Sequence, residues 1–169
     1  MNIHKIGIIG AGVMGVDVAF DLALNGYDVI LNDISEETLE KAKLKITQNT
    51  RSYRMLLPAL GETSADQLLA KIEFTTELSQ LKDASMIIEN VTESWEIKSK
   101  LYKELANLCG EETYFAVNTS CISITKVAAL LPSPDKVVGM HFMNPVPLKK
   151  MVEMIRGYHT SDETIQFAK

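Results

Sequence analysis

An α/β fold with a doubly wound, mostly parallel sheet and helices on both faces is predicted by three observations. Short runs rich in Ile and Val recur along the chain, helix-length segments separate them, and a glycine-rich turn joins the first run to the first such segment. The first run is "KIGIIG" (Lys5 to Gly10). The helix-like "VMGVDVAFDLALNG" follows, with Asn25-Gly26 as its C-terminal stop, and "YDVILND" (Tyr27 to Asp33) is the second run, which completes a β-α-β unit. A long, charged arm starts at Ser35, whose hydroxyl suits an N-cap, with Glu36 and Glu37 favouring the dipole of the first turn; it is expected to end near Pro58 or Gly61. Further strands are expected at "KIEFT" (71–75), "ASMIIENV" (84–91), "TYFAVNT" (113–119) and "KVVGMHFM" (136–143), with helices at 94–108 and 124–131 between the last three. Beyond "NPVP" (144–147), "KKMVEMIRG" reads as a last strand and "SDETIQFAK" as the start of another helix.

The 169 residues, 46% of them hydrophobic, suit one domain with its own core, spanning residues 1–169. Lys and Arg total 17 against 22 for Asp and Glu, a net charge of -5, and no block of like charge could track a phosphate backbone, so nucleic acid is not an expected partner. The opening "MNIHKIGIIG" lacks the layout of a secretion signal, and no apolar run reaches the ~18 residues of a membrane span, so a cytoplasmic protein with no membrane partner is expected. Cys109 and Cys121 form no CxxC pair, which fits a reducing compartment, and none of the three histidines has metal-ligand spacing to another His or Cys, so no metal is expected.

The glycines at Gly10, Gly12 and Gly15 form a G-x-G-x-x-G pattern, with Val13 and Met14 inside it, and on its own such a pattern is only a glycine-rich loop. Its context narrows the reading. It follows a strand, opens a helix, and lies in a unit whose second strand ends at Asp33, eighteen residues after Gly15. Gly10 serves the tight turn, Gly12 lets backbone approach a pyrophosphate, Gly15 lets helix and strand pack, and the helix N-terminus receives the anion. This is the Rossmann-type dinucleotide arrangement. Asp33 is either a solvated loop acid or the acceptor for the adenosine hydroxyls; in the second case it repels a 2′-phosphate, and with no Arg close behind it the cofactor is NAD.

A dehydrogenase needs a base for the hydroxyl proton, and imidazole, with an ordinary pKa of ~6.5, suits the task. His141 stands at the end of an expected strand, where open α/β sheets place ligands. A satisfied core or loop histidine is the competing reading. Glu153 lies twelve residues on, and a chain reversal around Pro147 would set the two opposite each other, so that the carboxylate orients the ring. "AVNTSCIS" supplies Asn118, Thr119 and Ser120 just past the neighbouring strand, as an N-cap, as ligands, or as both.

These residues identify a resemblance. "GAGVMG", Asp33, "IIENVTESWEIK", "VNTSCISIT", and above all "GMHFMNPVP" followed by "VEMI" resemble the NAD-binding domain of the 3-hydroxyacyl-CoA dehydrogenase family, over essentially the whole chain. The resemblance implies that His141 is the base, Glu153 its partner and Ser120 a donor to the substrate oxygen. Gly10, Gly12, Val13, Met14, Gly15, Asp33 and Asn118 fall to the cofactor, Glu93 and Lys98 to the region of the nicotinamide ribose, and Asn144 matches the asparagine after the histidine. It also implies an acyl-CoA substrate. A helical C-terminal domain that supplies a further asparagine and the homodimer contacts is expected to be missing here, so that NAD binds with little or no turnover. Two departures bear on the substrate: "ENVTES" puts Asn90 and Thr92 where apolar residues are usual, and the far half of the arm carries only Arg51 and Arg54. Relatives that act on acyl groups tethered to an acyl carrier protein, as in extender-unit and polyketide biosynthesis, would account for both. A non-catalytic NAD-binding protein is the alternative of a different class.

Overall fold

The computed structural model describes residues 5–149 and 151–169. Seven strands form one sheet in the order β3-β2-β1-β4-β5-β6-β7. They are β1 (Lys5–Ile9), β2 (Asp28–Asn32), β3 (Ile72–Thr75), β4 (Met86–Glu89), β5 (Tyr114–Val117), β6 (Val137–Phe142) and β7 (Val152–Arg156). The first six are parallel and only β7 runs against its neighbour. Strand order 3-2-1-4-5-6 is that of a doubly wound dinucleotide-binding sheet, whose switch point lies where β1 and β4 lead away in opposite directions.

Alternation along the strands divides the core into two layers. Ile6 and Ile8 of β1, Val29 and Leu31 of β2, and Ile88 of β4 pack on one face against α1 (Val13–Leu24) and α2 (Glu36–Tyr53). Ile9, Ile30, Ile87 and Val117 face the other way, where α4 (Trp95–Leu108) and α5 (Ile124–Ala128) contribute Tyr102, Leu105 and Val127. Because both faces are covered, the strands are continuous apolar runs, as a buried parallel sheet requires. The short α3 (Ala65–Leu69) and α6 (Asp162–Ala168) complete the first layer.

The chain stops its helices where local chemistry dictates. Ser35, Ser94 and Ser161 each accept a hydrogen bond from the backbone amide three residues on. Gly26, at φ +91°, carries the chain out of α1 after Asn25, as the Asn-Gly stop predicts. The arm is shorter than expected: α2 ends at Tyr53, and the Arg54 guanidinium donates to the carbonyls of Gly61 and Thr63, turning the chain back toward α3. A reciprocal capping box between Ser64 and Gln67 starts α3, a helix the expected arm did not include. The last expected strand is confirmed at Val152–Arg156, while Lys150 within that segment lies outside the described residues.

One buried ion pair ties α4 to the end of β4. Glu89 and Lys98 have no accessible side-chain surface; Lys98 Nζ lies 2.6 and 2.7 Å from the two carboxylate oxygens, and the Tyr102 hydroxyl donates to Oε2 at 3.4 Å. Burial pushes the Glu89 carboxyl above its usual range against the opposing pull of Lys98. Removing one partner of such a pair leaves an uncompensated charge, so Lys98→Met should destabilise the domain by about 3–5 kcal/mol at pH 7. Because the folded-state pKa of Glu89 lies above the unfolded one, its ionisation weakens the fold at higher pH, and the loss in Lys98→Met should shrink on acidification as Glu89 takes up its proton. Urea titrations of the variant and the parent at pH 7 and pH 5 read this directly; equal losses at both would contradict it.

Candidate active site at the carboxyl edge of the sheet

The glycine turn is built from close approaches that exclude side chains. Gly10 sits at φ +92°, and a Cβ there would meet the Asn90 carbonyl oxygen at 2.8 Å; a Cβ on Gly15 would stand 1.8 Å from the carbonyl oxygen of Gly10. Gly12 faces open space and caps α1 without a side chain, which leaves the first-turn amides of Val13, Met14 and Gly15 available to an anion. Val13 is exposed and Met14 packs partly against the core. Asp33 has a structural task that the sequence did not disclose. One carboxylate oxygen accepts from the Ala11 amide at 2.8 Å and the other from Ser35 at 3.0 Å, so the acid braces the glycine turn as well as opening the arm. Each oxygen keeps a further lone pair for a ribose hydroxyl. A groove of about 460 Å³ runs beside the turn, with Gly12, Val13 and Val16 on one wall and Lys41, Lys45 and Gln48 on the other.

At the other end of the same edge, β6 and β7 pair antiparallel with His141 opposite Glu153. Nδ1 of His141 lies 2.7 Å from Glu153 Oε2, and Nε2 lies 3.1 Å from the Ser120 hydroxyl. With Nδ1–H donating to the carboxylate, the neutral ring presents Nε2 as an acceptor, and the serine hydroxyl donates to it. The imidazole is partly open to solvent and Glu153 more so. Gly139 makes the approach possible: a Cβ there would collide with Ile155 of β7 and Ile124 of α5 at 2.8–2.9 Å.

Ser120 is itself held in place. The Glu93 carboxylate accepts from the Thr119 hydroxyl, from the amides of Ser120 at 2.9 Å and Cys121 at 3.3 Å, and from the Cys121 thiol. Partial burial opposes the charge on Glu93, but these hydrogen bonds and the Lys98 ammonium outweigh it and hold the carboxyl below its usual range. Lys98 is enclosed rather than presented. Its ammonium is bound to Glu89, donates to the Asn118 carbonyl at 3.1 Å and lies 3.8 Å from Glu93, so a direct contact with a ribose would require the buried pair to open.

The backbone pairing of β5 with β6 ends at Val117 and Gly139, two residues short of His141. The Asn118 side chain continues the ladder: Oδ1 accepts from the Phe142 amide at 3.4 Å while Nδ2 donates to Asn90 Oδ1 at 2.8 Å. Asn90, noted in the sequence only as polar where apolar residues are usual, therefore helps hold the end of the histidine's strand. Asn144 is exposed just beyond that strand, and its side chain takes part in none of these hydrogen bonds. Glu89 was missed by sequence reasoning; the available signal was a charged residue closing an apolar strand, with a lysine nine positions later.

Residues 5–169 match the family model for the NAD-binding domain of 3-hydroxyacyl-CoA dehydrogenase. The chain is 39% identical over 167 residues to a 3-hydroxybutyryl-CoA dehydrogenase of Bradyrhizobium diazoefficiens and 42% identical over 161 residues to a probable 3-hydroxybutyryl-CoA dehydrogenase of Deinococcus radiodurans. These alignments take in 99% and 95% of the chain but 57% of each relative, so the chain spans little more than half their length. The crystal structure of (S)-3-hydroxybutyryl-CoA dehydrogenase from Ralstonia eutropha superposes with a TM-score of 0.93 at 37% identity, covering 99% of this chain and 59% of that one. The glycine turn, the braced acid and the matched sequence together mean that this chain belongs to the 3-hydroxyacyl-CoA dehydrogenase family, as its NAD-binding domain.

Proposed function

We propose that the chain is the cofactor-binding and proton-handling part of an NAD-dependent dehydrogenase acting on 3-hydroxyacyl thioesters, with His141 as base, Glu153 as its orienting partner and Ser120 as a donor to the substrate oxygen. The observation that carries this reading is the unbroken line Glu153–His141–Ser120 at the carboxyl edge of a dinucleotide-binding sheet. The residues suit NAD on structural grounds: an uncapped helix start, open space at Gly12, and a carboxylate with spare lone pairs at Asp33. Bound NAD supplies the hydride acceptor.

In the oxidising direction the substrate hydroxyl gives its proton to Nε2 of His141 as the C3–H bond breaks and the carbonyl forms. Glu153 then stabilises the imidazolium, in the role an acid plays behind a catalytic histidine. Ser120, within reach of Nε2, turns its hydroxyl to the same oxygen, and Glu93 fixes the backbone from which it does so. Asn144, exposed just beyond β6, is a further group that a carboxamide or thioester could meet. The groove beside α2 offers Lys45 to the phosphates of coenzyme A, with Lys41, paired to Glu37, beside it.

One observation favours a second reading of the thiol carrier. Arg54 is engaged with the Gly61 and Thr63 carbonyls, so of the two arginines in the far half of the arm Arg51 alone is left to meet a phosphate, while Met55 and Leu56 stand exposed beside it. An acyl-carrier-protein thioester, which is held through protein contact, would suit such a surface.

Glu153→Gln should lower kcat of the full-length protein about 10²-fold while NADH affinity changes less than about threefold, since the exchange removes the stabilising charge and leaves the nucleotide site intact; comparable losses in both would refute the dyad. NADPH should bind at least about tenfold more weakly than NADH by fluorescence titration, and Asp33→Ser should narrow that gap, because the carboxylate repels a 2′-phosphate. Adding acetoacetyl-CoA, and then an acetoacetyl carrier protein, to the NADH complex should perturb the nicotinamide emission; silence toward every thioester would point instead to a non-catalytic NAD-binding protein.

A further inference from the structure

Asp17 is a buried acid that the chemistry above does not use. It lies in the second turn of α1, with 3% of its surface exposed, inside the layer that joins α1 to α2. One oxygen accepts from the Asn49 amide group of α2 at 3.0 Å. The other accepts from the backbone amide of Val146 at 3.2 Å, 129 residues away in sequence. Val146 opens a short 3-10 turn (Val146–Leu148) in the connection between β6 and β7, a few residues after His141 and before Glu153. Its amide is buried, so without Asp17 it would have no partner at this point.

Burial pushes the Asp17 carboxyl above its usual range, against the hydrogen bonds from Val146 and Asn49 and the charge of Lys45. The other titratable groups close by, Asp21 and Tyr53, are raised by burial and further by Asp17 itself. A folded-state pKa above the unfolded one means that the ionised acid weakens the fold at neutral pH and ceases to do so as pH falls through the folded value. An amide side chain would fill the same layer without a buried charge and still accept from Val146, whereas an apolar one would leave that amide without its partner.

We propose that Asp17 is a positioning residue for the reaction: its carboxylate anchors the connection between the two strands of the His141–Glu153 pair to the helix that begins at the glycine turn, and so sets where the imidazole stands relative to the dinucleotide. The proposal rests on the dehydrogenase reading above for its purpose, but its geometry is independent of that reading. Asparagine at this position keeps an acceptor for Val146, and its NH₂ group can donate to the Asn49 oxygen once that amide turns over. Alanine keeps neither.

The test uses this chain with NADH. In Asp17→Ala, amide hydrogen exchange at Val146 should accelerate at least about tenfold more than at Ile8 in the central strand, and the imidazole nitrogen resonances of His141 should move, with NADH affinity held within about threefold. Asp17→Asn should restore both signals and should raise the melting temperature at pH 7 relative to the parent, by a margin that narrows toward pH 4. Val146 protection or His141 resonances unmoved in Asp17→Ala, or Asp17→Asn indistinguishable from Asp17→Ala, would overturn the assignment. Should Asp17→Ala not fold, the Val146 amide resonance of the unaltered chain is followed on acidification: it should inflect together with the Asp17 carboxyl carbon, and an amide that stays flat while that carbon titrates would overturn it equally. None of these signals requires turnover, so a failed dehydrogenase reading would appear in the thioester titration instead.

Discussion

The antiparallel pairing of β6 with β7 is the constraint on which the rest of the site depends. A parallel neighbour would place the next strand's residues in a slanted, offset register, whereas an antiparallel one sets residues directly opposite, close enough for side chains on one face to meet. His141 and Glu153 occupy one such pair, so the imidazole is oriented by backbone hydrogen bonds before its own contact with the carboxylate forms. Shifting the pairing by a single residue would send one of the two to the opposite face of the sheet. Gly139 and Ile155, two pairs further along on the same face, protect the register, since no larger side chain fits at Gly139.

Around that pair the polar residues work chiefly by holding backbone. Glu93 gathers the amides of Ser120 and Cys121, Asn118 takes the Phe142 amide where the β5 ladder has ended, Asp33 takes those of Ala11 and Ser35, and Asp17 takes that of Val146. Most of the amides held in this way lie where a strand or helix ends and the regular hydrogen-bond pattern runs out, which is where an edge of irregular chain must otherwise rely on water. The Glu89–Lys98 pair underlies this layer from below, delivering one more donor to the Asn118 carbonyl. The consequence is a hydrogen-bonded polar floor at the carboxyl edge, on which Ser120 and His141 meet. Preorganisation of this kind is how a fold offers aligned groups at the moment of reaction without moving them.

Much of this was legible before any coordinates. The recurrence of Ile- and Val-rich runs identified the strands, Asn25-Gly26 ended α1, and the twelve-residue spacing about Pro147 was enough to expect His141 opposite Glu153. The arm was harder. Its periodicity continues past Tyr53, and the chain is turned there by backbone bonds to the Tyr53 carbonyl and by the grip of Arg54 on Gly61 and Thr63, a contact no local pattern displays. The five residues of α3 are too few to show a helical period, although Ser64 and Gln67 carried a capping signature. Lys98, which the resemblance sets near the ribose, shows no sign of burial in the sequence, because a lysine beside Glu96 and Ser94 reads as solvated until β4 brings Glu89 against it.

The sequence by itself determined the fold class, the order of the strands along the chain, the glycine turn, the acid just past β2 and the expectation that His141 faces Glu153, since each of these is written in short-range spacing and in the conformational limits of Gly, Pro and the β-branched residues. Only the tertiary structure decided which polar group meets which: Asp17 with Val146, Glu93 with Thr119 and Ser120, Asn90 with Asn118, Lys98 with Glu89. Those pairings join segments that meet at one end of a crossover-wound sheet, and a hydrogen bond acts over about 3 Å of space, whatever the separation along the chain.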